Sequence, residues 1–441
     1  MKIVNIVPGF GGTFYCGNCQ RDGAFVKELR HRGHQAIILP MYLPLTMNNL
    51  TDSLDQTDDT RDAPVFYGAV SIYLKQQFPV MRKMPHWLEN IFNSRPILKF
   101  AASKAGSTRA QGMEALTESM MLGAEGFQRE ELDELVRFLK DHEKPDIVHV
   151  SNALLLGLAQ QIREEVKVPV IFSLQDEDVW IDAMDLQWQQ RMWELMALKA
   201  RNVDAFVSVS AWFAKKMQEK LDIPAEKLHV IPIGVNPEGY RFNEPSFSPP
   251  TIGYLSRICE DNGFDILVDA FLILKESGRF PGLRLHATGG YTGDDRAFIH
   301  HQEQKIRERK FKDDFRIFEH YKPGELTSFF KTLSVMSVPV LKGEAFGLYQ
   351  IEALASGIPL VQPALGAFPE IISDTGGGIT YYPNNAEALA NAIAGILTDP
   401  LRVKTMAREG RRVVEEKYNA GVLTEKMVGL YRQVIGNFAG N

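Results

Sequence analysis

Short apolar runs and helical stretches alternate along this chain almost without interruption, and midway the series starts afresh. KIVNIV (2–7) leads through a loop into DGAFVKELRHRG, where Phe25, Val26 and Leu29 share one helical face. QAIILPM, DIVHVS, PVIFSL, DAFVSVS and KLHVIPIG follow, separated by helical sequence such as LLLGLAQQIREEV and AWFAKKMQEKLD. A second series reads TIGYLS, RLHATGG, DFRIFE, VMSVPV, PLVQPA and GITYYP. Short buried strands separated by helices predict parallel sheets covered on both faces. The fold class is therefore α/β, with two doubly wound, Rossmann-like sheets. Residues 234–250, GVNPEGYRFNEPSFSPP, are rich in Pro, Gly and Asn and read as a linker between domains at 1–235 and 236–420. Doubly wound sheets bind ligands at their carboxyl ends, so two of them joined by a hinge predict a central cleft.

Composition excludes several classes. The 49 basic and 55 acidic residues give a net charge of -6, which argues against a nucleic-acid binder. The 3 cysteines form no visible disulfide framework and fit a reducing, cytoplasmic compartment. The apolar run at the N-terminus is too short for a secretory signal, and no run approaches the ~20 apolar residues of a membrane span. GFGG (9–12) lacks the third glycine of a dinucleotide fingerprint, and Asp22 comes too early for its acidic partner. A P-loop is absent. One insertion breaks the alternation: residues 75–109 carry Lys75, Arg82, Lys83, Arg95, Lys99, Lys104 and Arg109 against the single acid Glu89, with Phe78, Trp87, Phe92 and Phe100 among them. Such a stretch suits peripheral contact with a membrane surface or an anionic acceptor, or else a helical excursion over the edge of the first domain.

The most informative stretch is GEAFGLYQIEALASGIPLVQPALGAFPEI, residues 343–371. AFG predicts a turn and LYQIEALAS a helix with Gly347 at its start. Glu344 then lies in the loop before the helix and Glu352 a little over one turn inside it. The first turn offers free backbone N–H groups to a phosphate, and the two carboxylates can accept hydrogen bonds from hydroxyls. Donors for phosphate beside acceptors for hydroxyls suit a nucleotide sugar. Taken alone, two glutamates eight apart carry little information, and Glu352 as a solvated helix residue is the plain alternative. The flanking residues change this. E-A-F-G-L-Y-Q-I-E-A-L-A-S-G-I-P closely resembles the E-x7-E signature of retaining nucleotide-sugar glycosyltransferases of family 4. The resemblance extends through Gly366, Ala367, Pro369 and Glu370, through KLHVIPIGVN and DAFVSVS, and more weakly to the N-terminus.

The resemblance implies the two-domain GT-B fold, with the final helix, 421–438, packing back on the first domain. It implies that Glu344 lies beside the donor sugar, that Glu352 binds the nucleotide ribose, and that backbone N–H groups of Phe346, Gly347 and Leu348 meet the sugar or diphosphate. Arg257, in GYLSRICEDNG, matches the arginine that neutralises the diphosphate. Asn262 stands where the family has a lysine, and Lys342 is a candidate substitute. Gln175, in PVIFSLQDEDVW, occupies the place of a histidine near the transferred sugar. The base-binding region follows DFRIFE, near His320, Tyr321 and Lys322. Asp176 and Asp178 are placed to contact acceptor hydroxyls or to cap the following helix. Asp58–Asp59 and Asp294–Asp295 read as surface loops rather than as a metal-binding pair, and the family needs neither metal nor cofactor beyond its donor.

GFGGTFYCGNC (9–19) falls in the loop after the first strand. By the same resemblance Gly11 and Gly12 let the donor diphosphate or the acceptor approach, and Asn18, Arg21 and Asp22, close to the cysteines, are the candidate acceptor contacts. Cys16 and Cys19 have C-x-x-C spacing, but a closed zinc site needs four ligands and only Cys259 is left to join them. The expected partners are a nucleoside diphosphate sugar (UDP or GDP) and a glycan, lipid-linked or small-molecule acceptor. A paralogue that keeps nucleotide recognition and has lost transfer is the alternative, motivated by Asn262 and Gln175.

Overall fold

Valine and isoleucine dominate the first strand, and their branched side chains pack well on a pleated sheet buried on both faces. In the computed structural model this strand, β1 (Lys2–Val7), joins β2 (Gln35–Pro40), β3 (Ile147–Val150), β4 (Val170–Leu174), β5 (Ala205–Ser208) and β6 (Leu228–Val230). The structure describes residues 1–8, 14–15, 17–41, 110–319, 321 and 325–440, the side chains of Asn18 and Cys19 excepted. The chain divides into two compact units. Unit 1 comprises residues 1–11, 22–231 and 424–441, and unit 2 comprises residues 12–21 and 232–423.

The unit 1 sheet runs β2-β1-β3-β4-β5-β6, with every pairing parallel. Its middle strands β3, β4 and β5 are wholly buried and wholly short, as covered parallel strands are. Ile3, Ile38, Ile147, Ile171 and Val207 from this sheet pack with Met427, Leu430, Tyr431 and Val434 of the last helix, Ala420–Ala439.

Unit 2 holds β7 (Thr251–Leu255), β8 (Arg284–Thr288), β9 (Phe315–Ile317), β10 (Val335–Met336), β11 (Leu360–Pro363) and β12 (Gly378–Tyr381). They form a parallel sheet in the order β12-β11-β10-β7-β8-β9, which is the Rossmann order read from the far edge. Its outermost strands β9 and β12 are partly exposed, whereas β7 at the centre is buried throughout. Residues 234–250 are not a loose connection. Asn243 N–H donates to Ser356 O (3.0 Å), Arg411 Nη1 donates to Tyr240 O (2.8 Å), and the Tyr240 side chain is buried. Among the described residues no helix is long and apolar enough to cross a membrane.

Candidate functional site

In unit 2 the strand order reverses between β7 and β10, the point where open α/β sheets bind ligands beyond their carboxyl ends. The chain leaves β7 into Ser256 and Arg257, and leaves β10 into the loop bearing Glu344 and then the helix Leu348–Ala355. Gly347 caps this helix with φ +81°, and a Cβ there would stand 2.7 Å from Glu344 Oε2. The glycine is thus required by its backbone, and any side chain there would also push the Glu344 carboxylate aside. Gly366 and Ala367 hold the loop from the other side: Ala367 N–H donates to Glu344 O (3.0 Å), and a Cβ on Gly366 would lie 2.5 Å from that oxygen. Phe346 and Leu348 are both buried.

Arg257 is oriented by a two-pronged ion pair. Its Nε donates to Asp295 Oδ2 (2.9 Å) and its Nη2 to Asp295 Oδ1 (2.7 Å), while Nη1 makes no hydrogen bond among the described residues. Asp295 also accepts from Thr292 N–H (2.7 Å) and Thr292 Oγ1 (2.8 Å) in a capping box. The expectation that Asp294–Asp295 form a surface loop therefore fails at Asp295, which is 7% exposed. Burial works against its charged form, but the guanidinium and the Thr292 donors outweigh this and hold its carboxyl below the usual range. The Asn262 amide nitrogen is committed to Ser256 Oγ (3.0 Å) and Arg257 O (3.1 Å), so it braces the arginine loop. Lys342 is exposed and pairs with no carboxylate among the described residues. Tyr321 is half-buried after β9. His320 and Lys322 lie outside the described residues.

Glu352 is no solvated helix residue: its exposure is 0%. Oε2 accepts from the Tyr15 hydroxyl (2.5 Å) and Oε1 from the Tyr240 hydroxyl (2.6 Å). Burial pushes its carboxyl up to about 7 against the pull of these two donors. Burial and the neighbouring carboxylate drive both phenols well above their ordinary value, so they are donors at any physiological pH. Neither tyrosine was singled out by sequence. Tyr240 sits in the stretch whose composition reads as linker, and Tyr15 in the glycine-rich loop whose cysteines draw the eye.

In unit 1 the predicted residues gather at the carboxyl ends of β3 and β4. The Gln175 amide nitrogen donates to Ser151 O, and its Oε1 is buried with no hydrogen bond among the described residues. Asp176 takes the N-cap position of the helix Glu177–Ile181 with φ +57°, but its side chain does not cap it. Asp178 pairs through Oδ2 with Lys216, and its Oδ1 is buried without a partner among the described residues. The residue that sequence reasoning passed over is Glu177. It is 0% exposed and accepts from Ala153 N–H (2.9 Å) and Gln175 N–H (2.6 Å), tying the ends of β3 and β4 together. Burial lifts its carboxyl to about 8 despite these donors. Its only sequence signal is its place in Gln-Asp-Glu-Asp directly after a buried strand. Arg21 and Asp22 lie in the helix Gly17–His31, Asp22 buried. Gly11, Gly12, Cys16, the Asn18 and Cys19 side chains and residues 75–109 lie outside what the structure describes.

Two family descriptions together match most of this chain: "Glycosyl transferase 4-like domain" over residues 24–234 and "Glycosyl transferases group 1" over residues 240–413. A curated relative, the MMP alpha-(1->4)-mannosyltransferase of Mycolicibacterium hassiacum, is 24% identical over 306 residues, which span 67% of this chain and 72% of that enzyme. Several other similar curated proteins are matched over less than two thirds of their own length. Among solved structures, sucrose-phosphate synthase of Thermosynechococcus elongatus superposes with a TM-score of 0.71 at 16% identity, over 99% of this chain and 100% of that one. HepE of Anabaena, solved in complex with UDP, superposes with a TM-score of 0.67 at 14% identity, over 98% and 100%. At these identities the likeness to the solved structures is one of fold.

Proposed function

The chain is a glycosyltransferase of the group 1, family 4-like kind with the GT-B fold, and from that premise we propose that it moves a sugar from a nucleoside diphosphate sugar to an acceptor hydroxyl with retention at the anomeric carbon. The observation that carries the proposal is the Glu344 loop and the start of the helix Leu348–Ala355 at the switch point of the unit 2 sheet, beside the end of β7 that bears Arg257. Uracil is the first base to test, because HepE, which shares the fold, was solved with UDP.

In this mechanism the bond from the anomeric carbon to the diphosphate oxygen breaks through an oxocarbenium-like transition state. The acceptor hydroxyl attacks from the face the diphosphate leaves, and its proton passes to the departing diphosphate. Negative charge grows on that leaving group, and donors fixed in advance around it lower the barrier by several kcal/mol. Arg257 is such a donor: Asp295 fixes its plane and leaves Nη1 for a phosphate oxygen. The backbone N–H groups at Phe346, Gly347 and Leu348 add partial positive charge, and exposed Lys342 supplies the charge that Asn262 lacks. Glu344 orients the sugar and Glu352 the ribose, with no metal or further cofactor taking part. On unit 1, Gln175, its nitrogen fixed on Ser151 O, presents an acceptor atom to sugar hydroxyls, and Asp176 accepts from the acceptor substrate. A glycan, a lipid-linked saccharide or a small polyol all offer that chemistry, the lipid-linked one with peripheral membrane contact.

Incubation of the purified protein with a panel of UDP- and GDP-sugars tests this reading. Slow donor hydrolysis is expected, abolished by Glu344→Ala and Arg257→Ala and lowered by Lys342→Ala. Tight nucleotide binding with no turnover on any donor would instead identify a binding paralogue.

A further inference from the structure

Glu352 already has what a ribose would give it. A carboxylate with no solvent contact needs hydroxyl or N–H donors on both oxygens. Here it has two neutral O–H donors, Tyr15 at 2.5 Å and Tyr240 at 2.6 Å. A ribose diol offers the same chemistry as a phenol, so one of these tyrosines can give way without leaving the carboxylate unpaired.

The two tyrosines are held differently. Tyr240 is fixed through its carbonyl by Arg411, which also donates to Ala355 O. Tyr15 belongs to the short piece of unit 2, residues 12–21, far in sequence from the rest of that unit. Its backbone is held on unit 2 by Tyr15 N–H to Gly289 O (2.7 Å) and the adjoining Phe14–Gly290 bridge. The same piece reaches the other donor contacts. The Phe14 ring lies under the Arg257 guanidinium, 5.6 Å from its carbon to the ring centroid. A Cβ on Gly17 would stand 3.1 Å from Leu348 Cβ, on the first turn of the helix expected to meet the diphosphate. All eight residues of that helix are buried.

We infer that Tyr15 is a stand-in for the ribose: its hydroxyl holds the ribose seat on Glu352, and donor binding and release of Tyr15 are one exchange, so Tyr15 sets donor affinity. The inference rests on the donor reading of Glu352 given above and adds a residue that reading does not contain. Because the seat must be vacated, the apparent dissociation constant is the intrinsic one divided by the fraction of molecules in which Tyr15 has let go.

Titration of UDP and GDP into the wild type, Tyr15→Phe and Tyr240→Phe tests the exchange. Removing the competing hydroxyl tightens nucleotide binding about tenfold in Tyr15→Phe, the equivalent of one hydrogen bond to a charged group. Tyr240→Phe, which removes a donor that stays in place in both states, changes affinity less than about twofold. A residue that merely supports the fold does not tighten a ligand when it is trimmed. Unchanged or weaker binding in Tyr15→Phe overturns the inference, as does equal tightening by both variants. Failure is separable from failure of the donor reading, which shows in the wild type alone: a wild type that binds neither nucleotide ends both.

Discussion

Glu177 and Glu352 are acids with no access to water, and that fixes the pH behaviour expected of each. Glu177 has a carboxyl lifted to about 8 and Glu352 to about 7, both from 4.5, because burial penalises the charge more than the neighbouring donors favour it. A carboxyl whose folded value is raised binds a proton in the folded state that the unfolded chain has already released. Its contribution to stability is fully present below about 4.5 and is lost as pH rises through the folded value. Wild-type protein unfolded by urea at pH 5 and at pH 8.5 therefore shows lower stability at the higher pH. In Glu177→Gln that fall shrinks by a few kcal/mol, leaving the smaller part owed to Glu352. The variant also starts lower at pH 5, since glutamine can accept from only one of the two N–H groups of Ala153 and Gln175. Identical slopes in the two proteins would show that Glu177 stays ionised when folded. None of this is legible from the sequence, in which both glutamates look like helix residues. What satisfies Glu352 is a pair of tyrosines 337 and 112 positions away.

The helix Leu348–Ala355 shows what an element can and cannot declare. Its existence, its glycine start and the spacing of Glu344 from Glu352 follow from the sequence, and the structure has them at Gly347 and Leu348. Its surroundings do not follow. A helix apolar nearly all round is buried, but the pattern does not say by what, and here part of the cover comes from Tyr15 and Gly17. The stretch 234–250 is the converse case. Its Pro, Gly and Asn content describes a chain without regular structure, which is true of most of it, yet its backbone and Tyr240 are tied down to unit 2. Composition reports the lack of periodicity and is blind to anchoring. Gly347 links this element to chemistry. In Gly347→Ala the backbone must hold φ near +81° with a side chain, and the new Cβ meets Glu344 Oε2 at 2.7 Å. The expected cost is about 1–3 kcal/mol of stability, read by thermal melting. Turnover falls further than stability does, by at least about tenfold, because the carboxylate beside the sugar is the group that must shift. A melting loss with unchanged kcat would separate Glu344 from the reaction.

At the scale of the whole molecule, alternation of strand and helix is enough to read the twelve strands of the described residues and their division into two sheets, because buried parallel strands are short, apolar and separated by helices wherever they occur. Strand order is another matter. Nothing in the local pattern tells β3 to follow β1 across the first sheet, or β10 to lie beside β7 in the second, and those reversals locate the candidate site. The chain also returns at its end: residues 424–441 belong to unit 1, whose core takes in Met427, Leu430, Tyr431 and Val434. The contact there is specific as well as apolar. The Tyr431 hydroxyl meets His149 Nδ1 at 2.5 Å, His149 Nε2 meets Ser173 Oγ at 2.8 Å, and Phe25 packs edge-on against both rings. Tyr431 has 0% exposure, so Tyr431→Ala opens a cavity and leaves a buried imidazole nitrogen short of a partner. The expected loss is about 3–5 kcal/mol, whereas Tyr431→Phe, which keeps the ring, loses about 1–3 kcal/mol. The nucleotide contacts proposed above, from Arg257 to Glu352, lie in unit 2. Nucleotide affinity, measured well below the melting temperature, therefore stays within about threefold of wild type in both variants. A large loss of affinity in Tyr431→Phe, with the fold intact, would mean that the donor site depends on how the last helix seats in unit 1.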